Sequence, residues 1–256
     1  MVKKYFKKIS PYRLLGFFFL IIIVIYVNRT YSYIYDHIDG VGLKMPNHGV
    51  TYLVTNNKMA SSSLTYVALG DSLTSGVGVD NYKESYPYLM AKYFAEDKYE
   101  VIIKNRSVPG AKTSDLLVGL VSLGVKDNPD ILTLLIGVND IHGQVNASEF
   151  KKNYEEILRR LTSGTKAKIY IVNIPFIGAD NLLLPPYNYY FDSKTKEFNE
   201  IVLELANKYQ LKHIDLYTKT ESLFKSQGAH YSADFFHPSS EGYKIWADLI
   251  YADISN

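Results

Sequence analysis

Five polar residues near the ends of short apolar runs carry the chemistry open to this chain. Ser72 lies in Gly70-Asp71-Ser72-Leu73, just after the run Leu64 to Leu69. Gly110 closes the segment Asn105 to Gly110 (NRSVPG), after Tyr99 to Lys104. Asn139 lies in Gly137-Val138-Asn139-Asp140, after Ile131 to Ile136. Asp234 and His237 share Asp234-Phe235-Phe236-His237-Pro238 near the C-terminus. Acyl transfer needs this set: a nucleophile, a base for its proton, and donors aimed at the developing oxyanion. Ser72 is the candidate nucleophile, and Gly70 lets the backbone bend sharply beside it. His237 can accept a proton and later return it. Asp234, three residues earlier, can fold back on one imidazole nitrogen and fix its tautomer. Three oxyanion donors are available: the Ser72 and Gly110 backbone amides and the Asn139 side-chain amide. Asp71 is expected to tie down loop amides and Asp140 to hold a turn. His142 and His230 are expected in loops or on a pocket wall, while His37, His48 and His213 are expected to be bystanders.

The elements that must position these residues alternate along the chain. Strand-length apolar runs cover Leu64 to Leu69, Tyr99 to Lys104, Ile131 to Ile136, Lys168 to Asn173 and Lys212 to Leu216. Helical stretches cover Tyr86 to Ala95, Ser114 to Leu123, Ser148 to Leu161, Lys194 to Tyr209 and Ser240 to Ile254. Strict alternation implies an α/β domain with a parallel sheet covered on both faces and right-handed crossovers. In such sheets the functional crevice lies beyond the carboxyl ends of the strands, where Ser72, Gly110 and Asn139 all fall. Asn146 matches a glycosylation acceptor pattern but also suits a helix start.

GDSL at Gly70 to Leu73, a glycine after the second strand, GVND at Gly137 to Asp140 and DFFH at Asp234 to His237 resemble the four blocks of the GDSL/SGNH hydrolase family, in order and spacing. The resemblance covers about residues 65–256. It implies a three-layer α/β/α, flavodoxin-like fold and a serine esterase, lipase, thioesterase or carbohydrate O-deacylase that needs no cofactor and no metal. It also implies Ser72 as nucleophile, His237 as base with Asp234 behind it, and Gly110 and Asn139 in the oxyanion hole. Pro109 departs from the smaller residue common before that glycine in the family.

The chain has 256 residues, 28 basic and 26 acidic side chains, 47% hydrophobic residues and no cysteine. That composition excludes a disordered or low-complexity chain, and the missing cysteines exclude disulfides and thiol chemistry. Lys3, Lys4, Lys7, Lys8 and Arg13 precede Asn28 with no acid among them, so the rest of the chain is mildly acidic and no nucleic-acid partner is expected. Leu14 to Val27 (LLGFFFLIIIVIYV) is apolar and follows those cations. A secretory signal would want small residues in an A-x-A-like pattern afterwards. The residues there are Asn28, Arg29, Thr30 and Tyr31, so an uncleaved anchor is favoured over a cleaved signal that would release the domain. The expected organisation is a cytoplasmic basic tail (1–11), a single transmembrane anchor (12–27), a juxtamembrane linker (28–63) and a hydrolase domain (64–256) outside the cell membrane. Residues 50–55 could add a strand.

Gly178 to Phe191 is long and carries Leu and Tyr residues unusual in a plain connector. It is expected either to form a substrate-binding lid, with Leu183, Tyr187, Tyr189 and Tyr190, or to pack back on the core. The expected activity is ester hydrolysis through an acyl-enzyme, on a small-molecule, lipid or glycan ester. The same triad could instead serve O-acyl transfer or O-deacetylation of cell-envelope glycans. A catalytically silent binding module on a membrane stalk is the third reading. A metal phosphoesterase is disfavoured because too few ligand groups cluster.

Overall fold

The computed structural model describes residues 10–43, 51–55, 62–97, 99–226 and 228–255. Six strands form one sheet: β1 (Thr51–Val54), β2 (Ser62–Gly70), β3 (Tyr99–Ser107), β4 (Ile131–Leu135), β5 (Lys168–Val172) and β6 (Lys212–Ile214). Their order is β1-β3-β2-β4-β5-β6. Strands β2 to β6 run parallel, as the alternation predicts. The departure is β1, which pairs antiparallel with β3, Thr51 opposite Lys104. The seven residues from Thr55 to Ser61 are too few for the crossover that a parallel β1–β2 connection requires, about a dozen or more.

The parallel strands fix where the site falls. β2 is central, with β3 on one side and β4 on the other. The connection after β2 runs one way and the connection after β3 returns the other way. Right-handed crossovers therefore put their helices on opposite faces and open a crevice at the carboxyl end of β2. β4 is buried at all five positions and β2 at its last five, so these runs are continuously apolar rather than alternating.

Short α2 (Ser72–Ser75) follows β2, and α3 (Tyr86–Glu96) leads to β3. Next come α4 (Thr113–Asp115) and α5 (Val121–Lys126), joined by a π-helical turn at Leu116–Leu120. Then follow α6 (Val138–His142), α7 (Ala147–Gly164), α8 (Tyr187–Lys208), α9 (Leu216–Ser226) and α10 (Ser240–Ser255). α3, α9 and α10 pack together on one side, and α5, α7 and α8 on the other. α7 shows why such segments become helices. Phe150, Tyr154, Ile157, Leu158 and Leu161 are buried on one stripe. The Asn146 side chain caps its start by accepting from the Glu149 amide at 2.9 Å.

Two helices differ from expectation. α8 begins at Tyr187 rather than Lys194, directly after Pro186. α9 has no counterpart in the predicted elements. Its buried stripe is Leu216, Thr220 and Phe224, and the threonine hides the period. Because α9 begins at Leu216, β6 ends at Ile214.

The larger correction concerns the expected linker. α1 (Pro11–Gly40) is one helix of 30 residues, so residues 28–40 continue the apolar run as helix. Thr30 and Ile34 are buried and Ile38 is half-buried, a period of four. Packing of that stripe on the domain supplies the stability that the local sequence lacks. The first half of α1 is bare, with Leu15, Phe17, Phe18, Phe19 and Ile22 all exposed. Residues 1–9 of the expected tail, and 44–50 and 56–61 of the expected linker, including His48, lie outside the described residues.

Candidate active site

The nucleophile turn is built where β2 stops. Asp71 caps α2, its side chain accepting from the Leu73 amide at 3.0 Å. Its carbonyl takes the Ser75 amide at 2.9 Å and the Ser75 hydroxyl at 3.0 Å. A side chain on Gly70 would collide with Thr74 and with the Leu135 carbonyl, so only glycine lets the turn sit this close to β4. The end of β3 lashes the turn in place. Asn105 donates to the Thr74 carbonyl at 2.7 Å and to the Tyr82 hydroxyl at 3.2 Å. The Ser75 and Ser107 hydroxyls share a hydrogen bond of 2.8 Å, and Ser107 in turn bonds Asn105.

The second half comes from the segment before α10. The Ser72 hydroxyl lies 2.9 Å from His237 Nε2, and His237 Nδ1 lies 2.5 Å from Asp234 Oδ2. The other Asp234 oxygen accepts from the Ser232 hydroxyl at 2.7 Å, the Phe236 amide at 3.0 Å and the His237 amide at 2.9 Å. Burial opposes charge on Asp234, but the imidazole and these donors outweigh it and hold the carboxyl below its ordinary range. An anionic Asp234 makes Nδ1 the protonated nitrogen. Nε2 is then free to accept from Ser72. Phe235 is held in the left-handed region in this turn, with φ 56°, at a cost of about 1–3 kcal/mol. Its amide donates to the Ser232 carbonyl at 3.0 Å and its carbonyl accepts from the Ala179 amide at 2.9 Å, which offsets the strain.

Ser72, Gly110, Asn139, Asp234 and His237 line one groove of about 420 Å³. Gly110 has φ 79°, the left-handed region open to glycine, so the Pro109 departure is accommodated without a residue that would strain the turn. The Asn139 amide donates to the Ala111 carbonyl at 3.1 Å, which orients the group at the groove. Asp140 is buried and accepts from the Thr113 amide at 2.9 Å and hydroxyl at 2.6 Å, joining the Gly110 loop to the Asn139 turn. The arrangement can generate a serine nucleophile, receive its proton and surround an oxyanion with amide donors.

Burial shifts two titratable groups beside the groove in opposite directions. Burial pushes Asp71 up to about 7, with the neighbouring Asp140 adding to the rise and the Leu73 amide opposing it. His142, half-buried on the groove wall, is lowered to about 4, first by loss of solvation and then by His237, and so is neutral at ordinary pH. It also lines a small apolar cavity of about 40 Å³ behind the groove.

Of the two expectations for the stretch 178–191, its leucines at 182 and 183 follow the second and pack back on the core. Leu182 and Leu183 are buried in the core, and Leu183 lines the small cavity rather than the groove. Tyr187, Tyr189 and Tyr190 fall in the first turn of α8, and Tyr189 is 71% exposed. Leu182 and Leu183 are satisfied by packing, while Leu184, Tyr189 and Tyr190 stay exposed. The sequence reading missed Ser232, Asn105 and Ser107 behind the reacting groups. It also missed Tyr35, Ile38, Asp39, Gly42 and Leu43, which line the groove from α1 and the residues just after it. Asn105 and Ser107 belong to the segment already marked and form the end of β3, so their position at a strand's carboxyl end was a usable signal. For the α1 group the one hint was the spacing of Thr30, Ile34 and Ile38.

The GDSL-like lipase/acylhydrolase family matches residues 68–245. The spore germination lipase LipC of Bacillus licheniformis is 29% identical over 212 residues, 74% of this chain and 96% of that protein. A crystal structure of a lipase/acylhydrolase from Enterococcus faecalis superposes with a TM-score of 0.62 at 25% identity, covering 75% of this chain and 95% of that one. The acetylxylan esterase Axe2 of Geobacillus stearothermophilus gives a TM-score of 0.61 at 17% identity, covering 78% and 97%, a likeness of fold.

Proposed function

The chain belongs to the GDSL-like lipase/acylhydrolase family and is a carboxylic ester hydrolase, and from that premise we propose that Ser72, His237 and Asp234 perform the hydrolysis. The observation that carries this reading is the unbroken relay from Ser72 Oγ through the imidazole to Asp234, at 2.9 Å and 2.5 Å. Ser72 Oγ attacks the ester carbonyl while its proton moves to His237 Nε2. The carbonyl oxygen becomes an oxyanion held by the Ser72 and Gly110 amides and the Asn139 side chain. Collapse expels the alkoxide, which takes the proton from Nε2, and leaves an acyl group on Ser72. Water then attacks that acyl group, giving a proton to Nε2. The second tetrahedral species collapses, and the proton returns to Ser72 as the acid leaves. Asp234 stays ionised throughout and stabilises the imidazolium.

Address forms the rest of the proposal. The exposed apolar half of α1, preceded by four lysines and with Arg13 in its first turn, supports a single membrane anchor over 12–27 with the tail cytoplasmic and the hydrolase domain (64–256) outside. The substrate is then an ester of the cell envelope or its surroundings. Ser72→Ala in the full-length protein tests the chemistry: ester hydrolysis is abolished while the circular dichroism spectrum is kept. Activity unchanged in that variant overturns it. Protease added outside intact cells tests the address: it degrades the domain if the orientation holds and spares it otherwise.

A further inference from the structure

The groove has a wall that the family match does not contain. Tyr35, Ile38, Asp39, Gly42 and Leu43 line it together with Ser72 and His237, and all five precede residue 68, where the match begins. We propose that the last turns of α1 and the residues after them form a wall of the substrate site, and that Tyr35, Ile38 and Leu43 set which neutral ester the enzyme accepts. This inference rests on the Ser72 reading above.

The helix is held at a defined register by contacts that reach the catalytic segment itself. Ile34 is fully buried, a burial worth about 1.5–3 kcal/mol. The Tyr31 ring meets Tyr187 at 5.5 Å, and the Tyr33 hydroxyl donates to the Asn181 carbonyl at 3.3 Å. The Tyr35 hydroxyl lies 3.4 Å from His142 Nδ1, with the two rings edge to face at 6.0 Å. His37, expected to be a bystander, stacks on Phe235 at 5.3 Å and 8°, two residues before the catalytic imidazole. A rotation or slide of α1 would break these contacts together. The side chains that line the groove from α1 are placed by that register.

Their chemistry says what the wall takes. Tyr35, Ile38 and Leu43 present carbon, and His142 beside them is uncharged. Val77 and Phe236 continue the apolar lining on the domain side. Asp39 at the edge, with the anionic Asp234 behind, disfavours a negatively charged substrate. A volume of about 420 Å³ lies within the ~300–1,000 Å³ typical of sites for drug-sized molecules. The occupant that fits is the apolar acyl chain of a neutral ester, running from the Ser72 hydroxyl along α1.

The test uses the full-length protein in one detergent, with nitrophenyl esters from acetyl to dodecanoyl. Ile38→Trp fills the wall and should lower kcat/KM for the longer esters about 10-fold or more relative to the acetyl ester, mainly through KM. Tyr35→Ala and Leu43→Ala only remove atoms and should move the preferred chain to greater length. Docking is monitored in the same preparations by a short bis-maleimide bridge between Tyr31→Cys and Tyr187→Cys, which is unambiguous in a chain with no native cysteine. Chain-length profiles that superimpose on the wild type for all three variants, with the bridge formed, overturn the proposal. So does a bridge that fails to form in the otherwise wild-type chain. Hydrolysis that survives Ser72→Ala instead overturns the underlying mechanism, so the two failures are distinguishable.

Discussion

The Ser72 side of the groove is fixed by hydrogen bonds among residues of short motifs, and the α1 side by ring contacts and one buried aliphatic stripe along a helix. On the first side every reacting group has a named polar partner. Asp234 alone accepts from Ser232, Phe236 and His237, besides the imidazole. On the second side the contacts are Tyr31 on Tyr187, Tyr35 on His142 and His37 on Phe235. Hydrogen-bonded geometry is directional and suits proton transfer. Apolar packing tolerates changes of size and suits the choice of substrate. A fixed reacting corner and an adjustable wall let one fold serve many esters.

Substitutions should separate the two sides. The largest effect is expected from Asp234→Asn, which keeps the shape but no longer enforces the Nδ1–H tautomer. It should lower kcat on the order of 10⁴-fold, read in steady-state assays at fixed pH. Asn139→Ala should lower kcat about 10²–10³-fold with KM little changed, because the amide binds the oxyanion more strongly than the ground-state carbonyl. Equal losses for acetyl and long-chain esters would place both residues on the reacting side. On the other side, Ile34→Ala removes the buried anchor of the docked helix at a cost of about 2–5 kcal/mol. It should abolish the bridge between the 31 and 187 positions and flatten the chain-length profile, with acetyl ester hydrolysis reduced by less than about 5-fold. A collapse of acetyl ester hydrolysis would show that the wall also holds the catalytic corner.

The smallest effect belongs to Asp71, and its sign is set by burial. Its folded pKa, about 7, lies above the ordinary 3.8, so its contribution to stability is full below about pH 4 and is lost as pH rises through 7. Asp71→Asn keeps the acceptor for the Leu73 amide but has no proton to lose. Relative to wild type, its melting temperature should rise between pH 4 and pH 8. A difference that stays constant over that range contradicts a raised Asp71.

The reacting side was legible in the sequence because its requirements are local. A nucleophile must follow a strand closely, and a carboxylate three residues from an imidazole can fold back onto it. The marked segments Gly70 to Leu73, Gly137 to Asp140 and Asp234 to His237 therefore reveal the fold and the residues that meet in one groove. The α1 wall was hidden because Gly40 and Gly42 suggest turns, and residues 28–40 lack a strong apolar period. Their helix depends on a domain whose surface is assembled from Tyr187, His142 and Phe235, residues more than a hundred positions away. The 178–191 stretch misled for the converse reason. Leu182, Leu183, Tyr187 and Asn181 have partners that only the assembled structure provides, and two of those partners are on α1 itself, Tyr31 for Tyr187 and Tyr33 for the Asn181 carbonyl.

The central claim is that the Ser72 hydroxyl, activated by His237, is the group that takes the acyl chain. Its most direct measurement is peptide mass mapping of the full-length protein after reaction with an aryl alkylphosphonate ester. The account predicts one adduct, on Ser72, formed in step with loss of esterase activity and absent in His237→Ala. An adduct on a different residue that tracks the loss of activity, or full inactivation with Ser72 unmodified, would contradict it.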